Sequence, residues 1–366
     1  MVNLSLDDAR RQFPTGSGYL DAATMGIPPL SAVDALGEDL MLWGSGRRDP
    51  GHYGGVVERA RAAYARLVRA SVDDVSIGAQ TSVMAALAAD AVPHGGEVLV
   101  VDGDFTSVVY PFKVRHPERA RSVALHTLAD EIGPQTAMVV FSLVQSSTGQ
   151  LAPVDQIREA AAAAGAITVC DVTQAAGVYP VDAADWHITV CHAYKWLCSP
   201  RGVGFMTVSS EIRDRIRPLH AGWYAGDDVW QSIYGPEMHL AENARRFDIS
   251  PAWQAWVGAA PALDLFASLD IAALHVRTSR LADTVLEELD REPRGQSIIA
   301  LDDPRGSLLA AVRAAGLTAS GRDGRIRLSF HLWNDDIDVL RAIQALKSLR
   351  EPEGVLLAQH ASQPIE

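Results

Sequence analysis

Through the first 210 residues, short apolar runs alternate with Ala-rich helical stretches, and few architectures accept that alternation. Strand-like runs occupy 98–101, 122–125, 137–142, 166–171, 188–191 and 202–208. Helical patterns cover 59–70, 82–91, 154–164 and 211–219. Strand and helix in alternation imply right-handed crossovers and a mostly parallel sheet covered on both faces. Ligands of such sheets bind at the carboxyl ends of the strands, so the polar residues found there are the candidates for chemistry. After Ala252 the texture changes: helical patterns at 253–269 and 271–289, shorter alternating runs at 297–300, 307–309 and 325–330, and a last helix at 335–348. The expectation is an α/β chain in two parts. A large domain spans 15–250 and a smaller C-terminal α/β domain spans 251–355, with segment 1–14 packed on the smaller one. The final dozen residues are expected to fray.

Composition narrows the function classes. The 366-residue chain carries a net charge of −13 and a pI near 5.3. That balance argues against nucleic-acid binding, which needs a clustered basic face. Apolar residues make up 48%, too many for a disordered chain. No apolar run approaches the roughly 18 residues of a spanning helix. The opening Met1–Arg11 lacks the layout of a signal peptide, so a cytoplasmic enzyme is expected. Three cysteines, Cys170, Cys191 and Cys198, form neither a disulfide framework nor a C-x-x-C zinc pattern, and no metal is expected. A dinucleotide-binding protein would need G-x-G-x-x-G after an early strand, and none is present.

The segment 167–205 carries the chemistry: ITVCDVTQAAGVYPVDAADWHITVCHAYKWLCSPRGVGF. Its first strand ends in Asp171. The next ends just before His192, Ala193, Tyr194 and Lys195. A lysine among aromatic and apolar side chains at a strand end has its pKa depressed, the condition for an amine that forms Schiff bases. A carboxylate on the neighbouring strand lies within one ligand's length of it. A carboxylate for a ring nitrogen and a lysine for an aldehyde are the protein's share of pyridoxal phosphate chemistry. Taken singly, Asp171 could be a turn former and Lys195 a snorkelling surface residue.

The pattern D-x-x-Q-A-x-G-x-x-P-x-D followed by K-W-L-x-x-P-R-G-x-G resembles the class V aminotransferase family. These are fold-type I pyridoxal phosphate enzymes that include cysteine desulfurases, kynureninases and isopenicillin N epimerases. The resemblance extends over nearly the whole chain, in order. Tyr19-Leu20-Asp21-Ala22-Ala23 is similar to the family's opening motif, and Gly78-Ala79-Gln80-Thr81-Ser82 to its phosphate-binding turn. Ser142 through Thr148-Gly149 is similar to its S-x-x-x-x-x-T-G turn, and 325–334, RIRLSFHLWN, to its closing signature.

The resemblance implies a role for each position. Lys195 is the Schiff-base lysine and the base for the substrate's α-proton, and Asp171 pairs with the ring nitrogen. Gln174 reaches the cofactor's phenolic oxygen, with Ser146 standing where relatives carry asparagine. Gln80, Thr81 and Ser82 hold the phosphate at a helix start, where backbone N–H groups and the macrodipole favour an anion; an ordinary N-cap is the alternative. His192 replaces a hydroxyl that holds phosphate in relatives, and Tyr194 replaces the histidine common before the lysine. Phe105 resembles the residue stacked on the ring, against the alternative of a core phenylalanine. Arg327 takes the substrate carboxylate, with Thr24 beside it; Arg325 shares its strand face and could be a surface ion pair. Ser250 matches the region that crosses to the partner's phosphate, which implies a homodimer with shared active sites.

The cofactor does not fix the reaction. Desulfurases that form a persulfide use a cysteine in the C-terminal part of the chain, and none follows Cys198. The expectation is β-elimination of the C–S lyase type. Aminotransfer, epimerisation and decarboxylative deamination are the alternatives within the family, and an inactive binding module is the alternative outside enzymes. A kynureninase would need to recognise an aromatic ring, for which Trp223, Tyr224 and Trp333 are candidates.

Overall fold

The computed structural model describes residues 4–348. The expected frayed tail and the end of the small domain, 349–366, lie outside the described residues. A seven-stranded sheet has the order β1-β7-β6-β5-β4-β2-β3. Its strands are β1 (Val75–Gly78), β2 (Glu97–Val101), β3 (Ala120–Val123), β4 (Thr136–Ser142), β5 (Ile167–Asp171), β6 (Ile188–His192) and β7 (Gly204–Val208). All run parallel except β7, which is antiparallel to β6 and β1. The expected strands appear within two residues of their bounds; β1 was not expected.

Strands buried on both faces read as unbroken apolar runs, and here they feed two cores. Leu99, Val139 and Phe141 face one, while Val98, Val100, Met138 and Val140 face the other. Helices cover both faces: α1 (Leu6–Arg10), α2 (Leu30–Gly44), α3 (Pro50–Leu67), α4 (Thr81–Asp90), α5 (Thr106–Arg115), α6 (Leu128–Glu131) and α7 (Val154–Ala164). The helix expected at 211–219 is absent. Pro218 interrupts the pattern, and only a 3-10 turn, Arg213–Arg215, forms while Ile212 and Ile216 enter the second core.

The C-terminal part holds a three-stranded antiparallel sheet, β8 (Ile298–Asp302), β10 (Arg325–Ser329) and β9 (Ser320–Arg322), in that order. Beside it lie α9 (Ile271–Glu287), α10 (Ser307–Ala314) and α11 (Asp336–Lys347), around a third core with Leu281, Ile326 and Phe330. The run at 307–309 is therefore helical rather than extended. The preceding helix α8 (Trp253–Ala267), assigned from sequence to this part, packs on α2 and α3, and its Trp256, Leu263 and Phe266 join the first core. The N-terminal stretch touches both parts, with Ala9 and Phe13 in the first core. Tyr19 and Asp21 bridge to Thr318 and Ser329, Leu20 enters the third core, and Arg10 pairs with Asp335. Residues 21–26 are thereby carried to the carboxyl edge of the large sheet. Among the described residues, no single helix is long and apolar enough to cross a membrane.

Candidate active site

The carboxyl ends of β1, β2, β4, β5 and β6 share one edge, and the candidate residues follow them in turn. Asp171 closes β5 beside Ser142 of β4, and His192 closes β6 opposite Gly204. Lys195 sits in the turn between β6 and β7, where two glycines let other backbone approach. A Cβ on Gly26 would stand 2.1 Å from the Lys195 carbonyl oxygen. Gly177, at φ +97°, lies against the Trp196 carbonyl. The Gly26 N–H also donates to the Tyr194 carbonyl (2.9 Å), so the lysine turn is held between the N-terminal stretch and the turn after β5.

Lys195 is buried and forms no ion pair among the described residues. Burial lowers its pKa to about 8, against the pull of Asp171. Its Nζ lies 5.6 Å from the ring centroid of Phe105 and 5.8 Å from that of Tyr194. Phe105 is 42% exposed, which removes the core alternative and leaves a ring open to the cleft. Asp171 is buried without an ion pair; burial raises its pKa, against hydrogen bonds from Thr173, whose N–H donates to Oδ1 (2.8 Å). A second buried carboxylate, Asp104, stands nearby and was not foreseen. One oxygen accepts from the Ser142 N–H (2.7 Å), the other has no partner, and burial lifts its pKa to about 7.

Around this pair the phosphate candidates gather. Helix α4 starts after Gln80 with no side-chain cap; Thr81 is buried and Ser82 half-buried. Its first N–H groups are therefore free for an anion. The His192 Nε2 is buried without a partner, and burial pushes its pKa to about 4, so the ring is neutral. Tyr194 lies edge-on to His192 and carries the Arg201 guanidinium 4.5 Å over its face. Gln174 is largely committed within the fold: its oxygen accepts from Trp196 Nε1 (2.7 Å) and its nitrogen donates to the Ala23 carbonyl (3.1 Å). That leaves one amide N–H for a ligand. Ser250 is exposed between the 3-10 turn Ala244–Phe247 and α8.

Arg327 enters the same cleft from β10. It is 2% exposed and donates to the Ser146 carbonyl (2.6 Å) and to Thr24 Oγ1 (2.6 Å), with Asp21 at 3.8 Å. Ser146 thus meets the site through its carbonyl. Arg325 lies outside the cleft, paired with Asp302 and Asp323. Arg322, which the sequence did not single out, also donates to Thr24 Oγ1 (3.2 Å). The signal for it was Asp323-Gly324, a two-residue hairpin turn with both φ positive (48° and 69°), which fixes the register of β9 on β10. Trp333 is buried, donates to the Tyr19 carbonyl and lies by His331, so it belongs to the core and not to a substrate pocket.

These groups fit pyridoxal phosphate. Asp171 is a buried carboxylate lacking a cation, α4 has an uncapped start, His192 has an orphaned nitrogen, and an open phenyl ring overlies a lysine of lowered pKa. The fold and site therefore define a fold-type I pyridoxal phosphate enzyme. The Aminotransferase class-V profile matches residues 56–320, and the chain belongs to that family. It is 27% identical to isopenicillin N epimerase of Amycolatopsis lactamdurans over 91% of this chain and 88% of that protein. It is likewise 27% identical to kynureninase of Xanthomonas oryzae pv. oryzae over 93% of this chain and 86% of that protein. In fold it is similar to the cystine C-S lyase C-DES, with a TM-score of 0.78 and 19% identity over 92% of this chain and 99% of the other.

Proposed function

We propose that this pyridoxal phosphate enzyme carries out β-elimination on S-substituted cysteines. The Cβ–S bond breaks, sulfur leaves as the thiol, and one water is consumed as pyruvate and ammonia are released. The observation that carries the reading is a cleft with a lysine of lowered pKa and no thiol. Cys170, Cys191 and Cys198 are all buried, and burial pushes their thiols up, so no protein sulfur stands ready to take a persulfide. The likeness of the fold to a cystine C-S lyase agrees with this reading.

Bound in the cleft, pyridoxal phosphate supplies an electron sink for the charge left at the substrate's Cα. Asp171 would hold the ring nitrogen in its protonated form, and the α4 start with His192 Nε2 would hold the phosphate. Lys195 would bind the cofactor aldehyde and, once displaced by the substrate amine, move the proton at Cα. Arg327 would grip the α-carboxylate, and Phe105 would lie against the ring. The reading includes a cytoplasmic homodimer in which Ser250 reaches the partner's phosphate. In its support, Leu40, Met41 and Trp43 of α2 and Tyr234 and Met238 beyond β7 expose apolar side chains.

The test is a product assay with S-substituted cysteines on the cofactor-loaded enzyme. Pyruvate and thiol in equal amounts are expected. A keto acid that retains the substrate's side chain, with no thiol, would refute elimination in favour of aminotransfer.

A further inference from the structure

In β9, Ser320 and Arg322 point to one face, and in β10 Arg325 and Arg327 point to the same face directly opposite, in the register Arg325↔Arg322 and Arg327↔Ser320. Like charges placed opposite each other across a sheet are unfavourable. Arg325 has Asp302 and Asp323 to offset its charge, and Arg327 has Asp21. Among the described residues, Arg322 forms no ion pair with an acid. Its Nη1 donates to its own strand's Gly321 carbonyl (2.7 Å), and its Nη2 donates to Thr24 Oγ1, which already accepts from Arg327. That hydroxyl then donates to Ser320 Oγ (3.3 Å), so its hydrogen-bonding capacity is spent between two guanidinium groups. Burial lowers the pKa of Arg327 and Lys195, and the Arg322 charge lowers both further. Three cations thus converge on one cleft, with Arg327 buried at its base and Arg322 exposed at its mouth.

We infer that Arg322 and Arg327 form a two-site clamp, and that the substrate is an amino acid bearing a second carboxylate, taken by Arg322. The inference rests on the cleft being the site of an amino-acid substrate. A guanidinium and a carboxylate form two parallel charge-assisted bonds, and a dicarboxylate offsets both arginines where a monocarboxylate leaves one uncompensated. In a cysteine conjugate, the second group sits on the thiol half, which points away from the reacting carbon towards the mouth.

The test reads binding without turnover. Calorimetry on the cofactor-loaded enzyme compares succinate and glutarate with butyrate. The dicarboxylates are expected to bind at least about tenfold tighter, the scale of one added charge-assisted pair. Arg322→Gln is expected to remove that preference and leave butyrate affinity within about twofold, while Arg322→Lys, which keeps the charge, retains part of it. Equal affinity for all three acids in the unaltered enzyme would overturn the clamp, both arginines then sharing one carboxylate. An undiminished preference in Arg322→Gln would overturn it too. Failure to release pyruvate would bear on the lyase reaction alone, because these acids carry no amine and undergo no chemistry.

Discussion

Replacing Lys195 with methionine should stabilise the cofactor-free protein near neutral pH. The amine's pKa falls from 10.5 to about 8, chiefly through burial. Below about pH 8 the folded chain holds a buried ammonium that the unfolded chain would keep in water. From 10.5 to about 8, at about 1.36 kcal/mol per pH unit, the cost is about 3 kcal/mol. Between those two values the unfolded chain binds more protons than the folded one, so unfolding free energy rises with pH. Above 10.5 both states are neutral and the cost is gone. Methionine keeps a stem of similar shape without the charge. The variant should therefore be more stable by up to about 3 kcal/mol at pH 7, with the gap closing through pH 8 to 10.5. The attraction of Asp171 is already contained in that net shift. Urea unfolding of both cofactor-free proteins at pH 7, 8, 9 and 10 measures the gap. A gap that stays constant from pH 7 to 10, or a variant less stable at every pH, would refute the argument.

Arg61 and Asp248 form a fully buried pair that ties α3 to β1 just ahead of the Gln80–Ser82 turn, Arg61 donating to the Val75 carbonyl and Asp248 accepting from the Ile77 N–H. Arg61→Met should cost about 3–5 kcal/mol in urea unfolding, and the double variant with Asp248→Leu should recover most of it. His192→Leu should weaken cofactor binding about tenfold in a fluorescence titration, the scale of one hydrogen bond to a charged group. With the imidazole pKa near 4, that loss should be the same at pH 6 and pH 8; a loss confined to pH 6 would mean that His192 acts as a cation. Arg327→Gln should raise KM for a carboxylate substrate about 10- to 100-fold while leaving cofactor affinity unchanged.

The strands that bear the chemistry were legible because each is buried on both faces and ends at a polar residue. Asp171 and the 192–195 turn stand out against Ile167–Cys170 and Ile188–Cys191 for that reason. Strand β1 was missed because Val-Ser-Ile-Gly is four residues long and has a serine in its middle, too short a run to show a period. Helix α2 was missed because its apolar residues face outwards as well as inwards, Leu40, Met41 and Trp43 being exposed while Ala32 is buried. Arg322 was hidden for another reason. The Asp-Gly turn that places it is visible in the sequence, but its partner is Thr24, 298 positions away, and only the bridges of Tyr19 and Asp21 to Thr318 and Ser329 bring the two together. The same holds for Asp104, whose burial depends on strand β4 passing beside it. Local pattern fixes which residues end a strand, whereas long-range pairing decides which of them meet.

Buried charged groups left without a full set of partners gather at the cleft. Elsewhere, Arg61 is matched by Asp248, and Asp338 by the Asn334 amide and the Gly18 N–H, while Arg48, Tyr64, Arg213, Arg245, Trp256 and His275 each keep one buried atom unpaired. At the cleft, among the described residues, Asp21, Asp104, His192 and Arg327 each keep a buried polar atom without a partner, Lys195 lacks an ion pair, and two arginines share one hydroxyl. Each such group costs stability when left unmatched. The signs of these groups sort by place. A buried carboxylate waits at the end of β5, a neutral donor and an open helix start lie to one side, and cations line the approach from β9 and β10. A ligand that matches them must be cationic at one ring atom and anionic at its phosphate, and its reaction partner must bring negative charge to the arginines. The folding free energy withheld at this edge is then returned on binding, so stability and affinity are coupled through the same atoms.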